Sequence, residues 1–176
     1  MKQSAVLFIF QDWKANSKNP KGRIFVLLFR IANLCSRSRV YFYLGVPYLF
    51  FYKAIVQTIF ALEVPWNISA GRGLVIYHCV GLIINKGVTI GSNCVLRHCT
   101  TIGNKQMADG TMSECPRIGN HVDVGCNACV IGDITIGDNV RIGSGSIVVK
   151  SVSANCVIAG NPASVKSFTG SRQSSS

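Results

Sequence analysis

Acidic side chains are scarce in this chain: 7 Asp and Glu stand against 18 Lys and Arg, leaving a formal net charge of +11 over 176 residues. Such an excess raises nucleic acid or anionic lipid as a partner. Basic runs are missing from the second half, however, where charges fall singly, and nine of the basic residues lie in 1–66 against only Asp12 and Glu63. The aromatic residues of that region cluster in a hydrophobic stretch instead of alternating with the charge, so the stacking platform of a nucleic-acid binder is lacking and no nucleic acid is expected. A disulfide framework is lacking too. The 8 cysteines follow no framework spacing, and no stretch with a small-residue cleavage site precedes them, which points to free thiols in a reducing cytosol. Cys126 and Cys129 spell CNAC without a second pair; the repeat described next accounts for both positions, and no metal is expected.

What the chain has instead is a rhythm of six. Ile118, Val124, Val130, Ile136, Ile142 and Val148 stand six apart, and the residues four further on, Val122, Ala128, Ile134, Val140 and Ser146, are small or apolar. A helix of period 3.6 scatters such a repeat around its whole surface, and an alternating strand has no use for the glycines at 119, 125, 137 and 143. The pattern predicts a mainly β fold, a parallel β-helix of hexapeptide repeats, in which each aliphatic residue points into a narrow prism and stacks on its equivalents above and below. A second frame, Ile84, Ile90, Leu96 and Ile102, precedes the first. Ile102 and Ile118 are 16 residues apart, not a multiple of six, so a polar loop within 103–117 is inserted and is expected to stand off the solenoid.

The first third is different material. Turn residues Asn19, Pro20 and Gly22 precede a helical composition at 24–34, and after a basic break comes 41–62, apolar nearly all round. That run has spanning length, but Pro47 and Lys53 interrupt it, and the basic residues before it would hold the N-terminus inside and export a thiol-rich domain. Packed helices that cap the solenoid or lie against the inner leaflet are expected, not a span. The domains then read as a short N-terminal α-helical segment 1–66, a β-helix 67–166 and a disordered tail 167–176.

These hexads, followed by AGNPASV at 159–165, resemble the hexapeptide-repeat acyltransferases, a resemblance that implies a left-handed parallel β-helix and trimers. Sugar nucleotidyltransferases and gamma-class carbonic anhydrases carry hexads as well, but GRGLVIYH at 71–78 with TTIGN and the closing NPA turn is similar to serine acetyltransferases. QDWKANSKNPKGR and EVPW extend the resemblance over most of the chain, toward exopolysaccharide O-acetyltransferases of the colanic acid type. The implied activity is transfer of acetyl from acetyl-CoA to a hydroxyl in a cytoplasmic homotrimer or dimer of trimers.

Such a transfer needs a base near neutrality, and only 3 histidines are present. His78 breaks the hexad frame and stands where the serine acetyltransferases have their general base; Glu63, fifteen residues upstream, matches the carboxylate that orients it. Asp12 resembles an acidic residue that contacts the acceptor, although it also suits a helix cap, and His98 is placed to line the acceptor pocket. Where serine acetyltransferases hold the amino acid with an aspartate and a loop histidine, this chain has Tyr77 and Cys115, which favours a sugar ring as acceptor, with serine as the alternative. For acetyl-CoA the resemblance implies Gly125, Cys126, Gly143, Ser144, Val149 and Lys150 along a groove between prisms, with Ser164 and Lys166 near the phosphates. The thioester oxygen gathers charge during attack and is expected to meet a backbone N–H, with Gly125 as the candidate. Two other readings stay open: a covalent route through Cys115 or Cys79, and a non-enzymatic scaffold, which the scattered Thr89, Thr100, Thr101 and Thr135 do not suit as a flat threonine ladder.

Overall fold

In a computed structural model, described over residues 4–168, three helices lead into four stacked coils of short strands. Helix α1 (Ala5–Ile9) starts where the Ser4 hydroxyl accepts from Leu7 N–H at 3.3 Å. Helix α2 (Pro20–Cys35) has Asn19 as its cap, taking Gly22 N–H at 3.1 Å, with proline in the first turn where no partner for its missing N–H is needed. Helix α3 (Arg39–Thr58) begins at Ser38 and carries Pro47 within it. No helix among the described residues is long and apolar enough to cross a membrane.

The first coil contains β1 (Ser69–Ala70), β2 (Val75–Ile76) and β3 (Ile83–Ile84); the second β4 (Thr89–Ile90), β5 (Val95–Leu96) and β6 (Thr101–Gly103). The third contains β7 (Arg117–Ile118), β8 (Asp123–Val124) and β9 (Cys129–Ile131), and the fourth β10 (Thr135–Ile136), β11 (Arg141–Ile142) and β12 (Ile147–Val148). A closing hairpin, β13 (Cys156–Gly160) with β14 (Ala163–Phe168), pairs antiparallel and adds to the sheet of β2, β5, β8 and β11. The other two faces are the stacks β1-β4-β7-β10 and β3-β6-β9-β12, parallel throughout. Strand β14 therefore takes in Ser167 and Phe168, the first two residues read as tail, while 169–176 lie outside the described residues.

Every aliphatic residue of both hexad frames points into the prism, none more than 4% exposed. At one edge the chain turns through a left-handed conformation, held by Asn93, His121, Asn139 and Asn155 at φ between 56° and 61°. The parallel β-helix predicted from the sequence is thus the fold, and the insert is visible in its register. Ile83 pairs with Thr101 and Cys129 with Ile147, 18 residues on, but Thr101 pairs with Cys129, 28 on. The ten extra residues form a small hairpin in which Gln106 bridges Met112.

The solenoid begins earlier than the sequence suggested. Glu63 already bridges Ile83, so only 59–62 separate the end of α3 from the first coil. What attaches helices to coils is polar. Arg30 and Asp12 are both fully buried and paired at 2.7 Å; Arg30 also donates to the Ala70 and Gly71 carbonyls at 2.8 and 2.6 Å, and Asp12 takes Leu74 N–H at 3.0 Å. Asn33 reaches the Trp66 and Ile68 carbonyls, and Asn16 that of Leu74. These groups satisfy the open end of the first coil, whose carbonyls have no preceding coil to meet.

Candidate functional site

The first coil is two residues too long at one corner. Val75 pairs with Val95 and Ile83 with Thr101, so eight steps separate β2 from β3 where six separate β5 from β6. Tyr77 N–H still meets the Leu96 carbonyl and the Val80 carbonyl still meets Cys99 N–H, which leaves His78 and Cys79 as the surplus pair. Both have left-handed backbones, φ 67° and 42°. Cys79 turns inward, fully buried with its thiol on the Ile76 carbonyl at 3.4 Å, and His78 is consequently thrown outward into solvent. The strand entering the corner is held from below by α2: Asn19 Nδ2 donates to the Ile76 carbonyl at 2.9 Å, and a Cβ on Gly22 would lie 2.5 Å from that oxygen, so only glycine permits the approach.

Directly along the stack, the His98 ring meets His78 edge-to-face with centroids 5.1 Å apart. His98 Nδ1 is buried and has no hydrogen-bond partner among the described residues. The Arg97 guanidinium lies 5.9 Å over the Tyr77 ring and is ion-paired with Asp123 of the next coil. One coil further come Gly125 and Cys126, then Gly143 and Ser144, with Cys126 Sγ to Ser144 Oγ 3.3 Å. Tyr77, His78, His98, Gly125, Cys126, Gly143 and Ser144 thus line one edge of the prism in a single column. Arg97 and Asp123 join that column without having been singled out in the sequence. The register offset introduced by the insert hides their adjacency, and no local pattern marks them.

The remaining predicted residues lie apart from this column in the single chain. Val149 and Lys150 follow β12 at the next edge, and Ser164 and Lys166 stand on β14, with Lys166 Nζ on Ser164 Oγ at 3.0 Å. Cys115 ends the insert, buried, its sulfur 3.0 Å from where a Cβ on Gly87 would be. Glu63 is exposed on the first bridge of the β3 face, and among the described residues no hydrogen bond joins it to His78. It lines instead a cavity of about 490 Å³ between α3 and the β3-β6 face, shared with Tyr52, Trp66, Asn85, Lys86 and Asn104. Two of the predicted residues have their polar groups already engaged within the single chain. The Asp12 carboxylate is enclosed by Arg30 and Leu74 N–H and is not presented to a ligand, because it serves the helix-to-coil junction. The Gly125 N–H donates to the Ile142 carbonyl at 2.8 Å and is therefore not free to receive an oxyanion.

No family model matches the chain. A protein of Escherichia coli (strain K12) provisionally named the colanic acid biosynthesis acetyltransferase WcaB is 38% identical over 162 residues, 90% of this chain and 98% of its own. The serine acetyltransferase of Helicobacter pylori (strain J99 / ATCC 700824) is 30% identical over 147 residues, 84% of this chain and 81% of its own. Among solved structures, the Vibrio cholerae serine acetyltransferase superposes with a TM-score of 0.77 at 20% identity, covering 95% of this chain and 67% of that one. The Neisseria gonorrhoeae serine acetyltransferase gives 0.72 at 23%, covering 94% and 66%, so the chain spans about two thirds of those enzymes. The β-helix and these relatives together define the class, and the protein is an acetyltransferase. It belongs to the hexapeptide-repeat acetyltransferases of the serine acetyltransferase-like group.

Proposed function

We propose that the protein transfers acetyl from acetyl-CoA to a hydroxyl of a sugar in exopolysaccharide biosynthesis, with His78 as general base, at a site completed where protomers of a homotrimer meet. The observation that carries the reading is the two-residue lengthening at His78. It fixes an imidazole outside the prism, without a protein hydrogen bond among the described residues, at the head of the column that runs through Cys126 to Ser144. In the proposed step the imidazole takes the hydroxyl proton as that oxygen attacks the thioester carbonyl; collapse breaks the C–S bond, and the imidazolium returns the proton to the departing CoA sulfur. Glu63 is assigned the orienting role once the partner face closes over the β3 sheet. Gly143, Ser144, Val149 and Lys150 are assigned to the donor, with Lys150 and Lys166 supplying charge for its phosphates.

A covalent route through Cys79 is disfavoured, since burial pushes its thiol up to about 11 and keeps it protonated near neutrality. The carbohydrate acceptor is supported by the name of the 38% identical relative and by Tyr77, 38% exposed beside His78, an aromatic face suited to a sugar ring. Acetyl-CoA consumption followed by mass spectrometry, against L-serine and a panel of polysaccharide repeat units, separates the readings. Acetylated glycan is the expected product; efficient acetylation of serine with glycans untouched overturns the acceptor assignment.

A further inference from the structure

Helix α3 carries two apolar stripes on opposite sides. Gly45, Leu49, Tyr52 and Val56, spaced by three and four, are buried against α2 and the first coils. A second set at the same spacing, Val40, Tyr43, Leu44, Pro47 and Phe50 with Phe51, faces outward, and Tyr43, Leu44 and Phe50 are 74, 77 and 73% exposed. Helix α1 adds Val6 and Leu7, each more than 60% exposed. The Arg37 guanidinium sits 4.1 Å over the Phe8 ring and so ties α1 to the turn that launches α3, next to the first residues of the outer stripe.

Exposed charge in 4–66 is nearly all of one sign, and Arg37, Arg39 and Lys53 carry it on and beside α3. Asp12 is enclosed with Arg30, so Glu63 is the single exposed carboxylate between residues 4 and 66, against exposed Lys14, Lys18, Lys21, Arg37, Arg39 and Lys53. A second copy docked face to face would bring like charge onto like charge. An anionic bilayer complements it, and aromatic side chains with a polar tip, such as Tyr41 and Tyr43, favour the level of the headgroups. No described helix is able to cross, so the contact is one of lying on the surface. We infer that the outer stripe of α3, with α1, is a docking surface for an anionic lipid bilayer. The inference stands independently of the acceptor.

Flotation of the full chain with vesicles tests it. With phosphatidylglycerol mixed into phosphatidylcholine the protein floats; with phosphatidylcholine alone, or at high salt, binding falls about tenfold or more. The double variant Leu44→Glu/Phe50→Glu loses anionic-vesicle binding by a similar factor while keeping its melting temperature and acetyl-CoA turnover. Arg39→Gln/Lys53→Gln, which leaves the apolar stripe and the Arg37–Phe8 contact in place, weakens binding and flattens its salt dependence. Failure of the wild type to float with anionic vesicles overturns the inference. So does sedimentation in which the wild type forms a larger particle than Leu44→Glu/Phe50→Glu and vesicles do not compete, since a second copy then covers the face.

Discussion

Replacement of Arg30 by alanine is the sharpest test of how the helices hold the solenoid. In the wild type its guanidinium meets both Asp12 oxygens, at 2.7 and 3.3 Å, and the carbonyls of Ala70 and Gly71, all with no solvent exposure of either side chain. Alanine leaves the Asp12 charge buried with Leu74 N–H as its remaining backbone donor, a loss of about 3–5 kcal/mol for breaking one side of a buried pair. Two carbonyls stripped of their donors add about 1 kcal/mol each. At roughly 2–4 °C per kcal/mol for a chain of this size, the melting temperature falls by roughly 10–28 °C. Calorimetry at fixed protein concentration reads the shift, because dissociation of the proposed trimer would otherwise enter the midpoint. Arg30→Lys keeps the charge but not the fork, and lies between wild type and alanine. Asp12→Asn separates two parts for the same residue: a junction role lowers the melting temperature and leaves the acceptor KM unchanged. A shift of less than about 1 kcal/mol in Arg30→Ala, or an acceptor KM that rises in Asp12→Asn without loss of stability, refutes the reasoning.

His78→Asn is expected to lower turnover by about 10²-fold or more with no loss of melting temperature, since asparagine tolerates the φ of 67° at least as well as histidine; steady-state kinetics and calorimetry on the same preparation check both halves. Glu63→Gln lowers kcat and displaces the pH–rate profile if the carboxylate orients His78, whereas a merely surface carboxylate leaves the profile in place. Gly91→Ala puts a Cβ 2.4 Å from the Gly119 carbonyl oxygen of the next coil, a backbone contact that cannot rotate away, so urea unfolding should show a loss of about 1–3 kcal/mol. Alkali should destabilise the fold. Burial raises the Cys79 thiol from 9.0 to about 11, so the folded state holds its proton more tightly than the unfolded chain; that stability is intact below pH 9 and is lost as pH rises toward 11. Tyr48, raised to about 12 by burial, extends the decline, and Cys79→Ala should shrink the first part of it in urea midpoints measured from pH 8 to 11.

The coils were legible in the sequence because the information for them is local and repeated. Ile118, Val124 and Val130 occupy equivalent slots, each touching only the coil above and the coil below, so a six-residue rhythm specifies the prism without knowledge of anything distant. His78 was found for the complementary reason, as a break in that rhythm, and the insert at 103–117 showed itself by miscounting. The polar partnerships were not legible. Arg97 reaches Asp123 only through a register that the insert displaces by ten residues, and Asp12 meets Leu74 N–H across 62 positions. The resemblance that suggested a ligand contact for Asp12, and the chemistry that suggested an oxyanion donor at Gly125, carried residue identities but not hydrogen-bond partners; in the folded chain Arg30 and the Ile142 carbonyl hold those groups. Periodic apolar burial is additive and short-ranged, so sequence alone determined the solenoid and its irregular corner. Which polar groups remain free depends on how helices dock against the open first coil, and tertiary structure alone decided that.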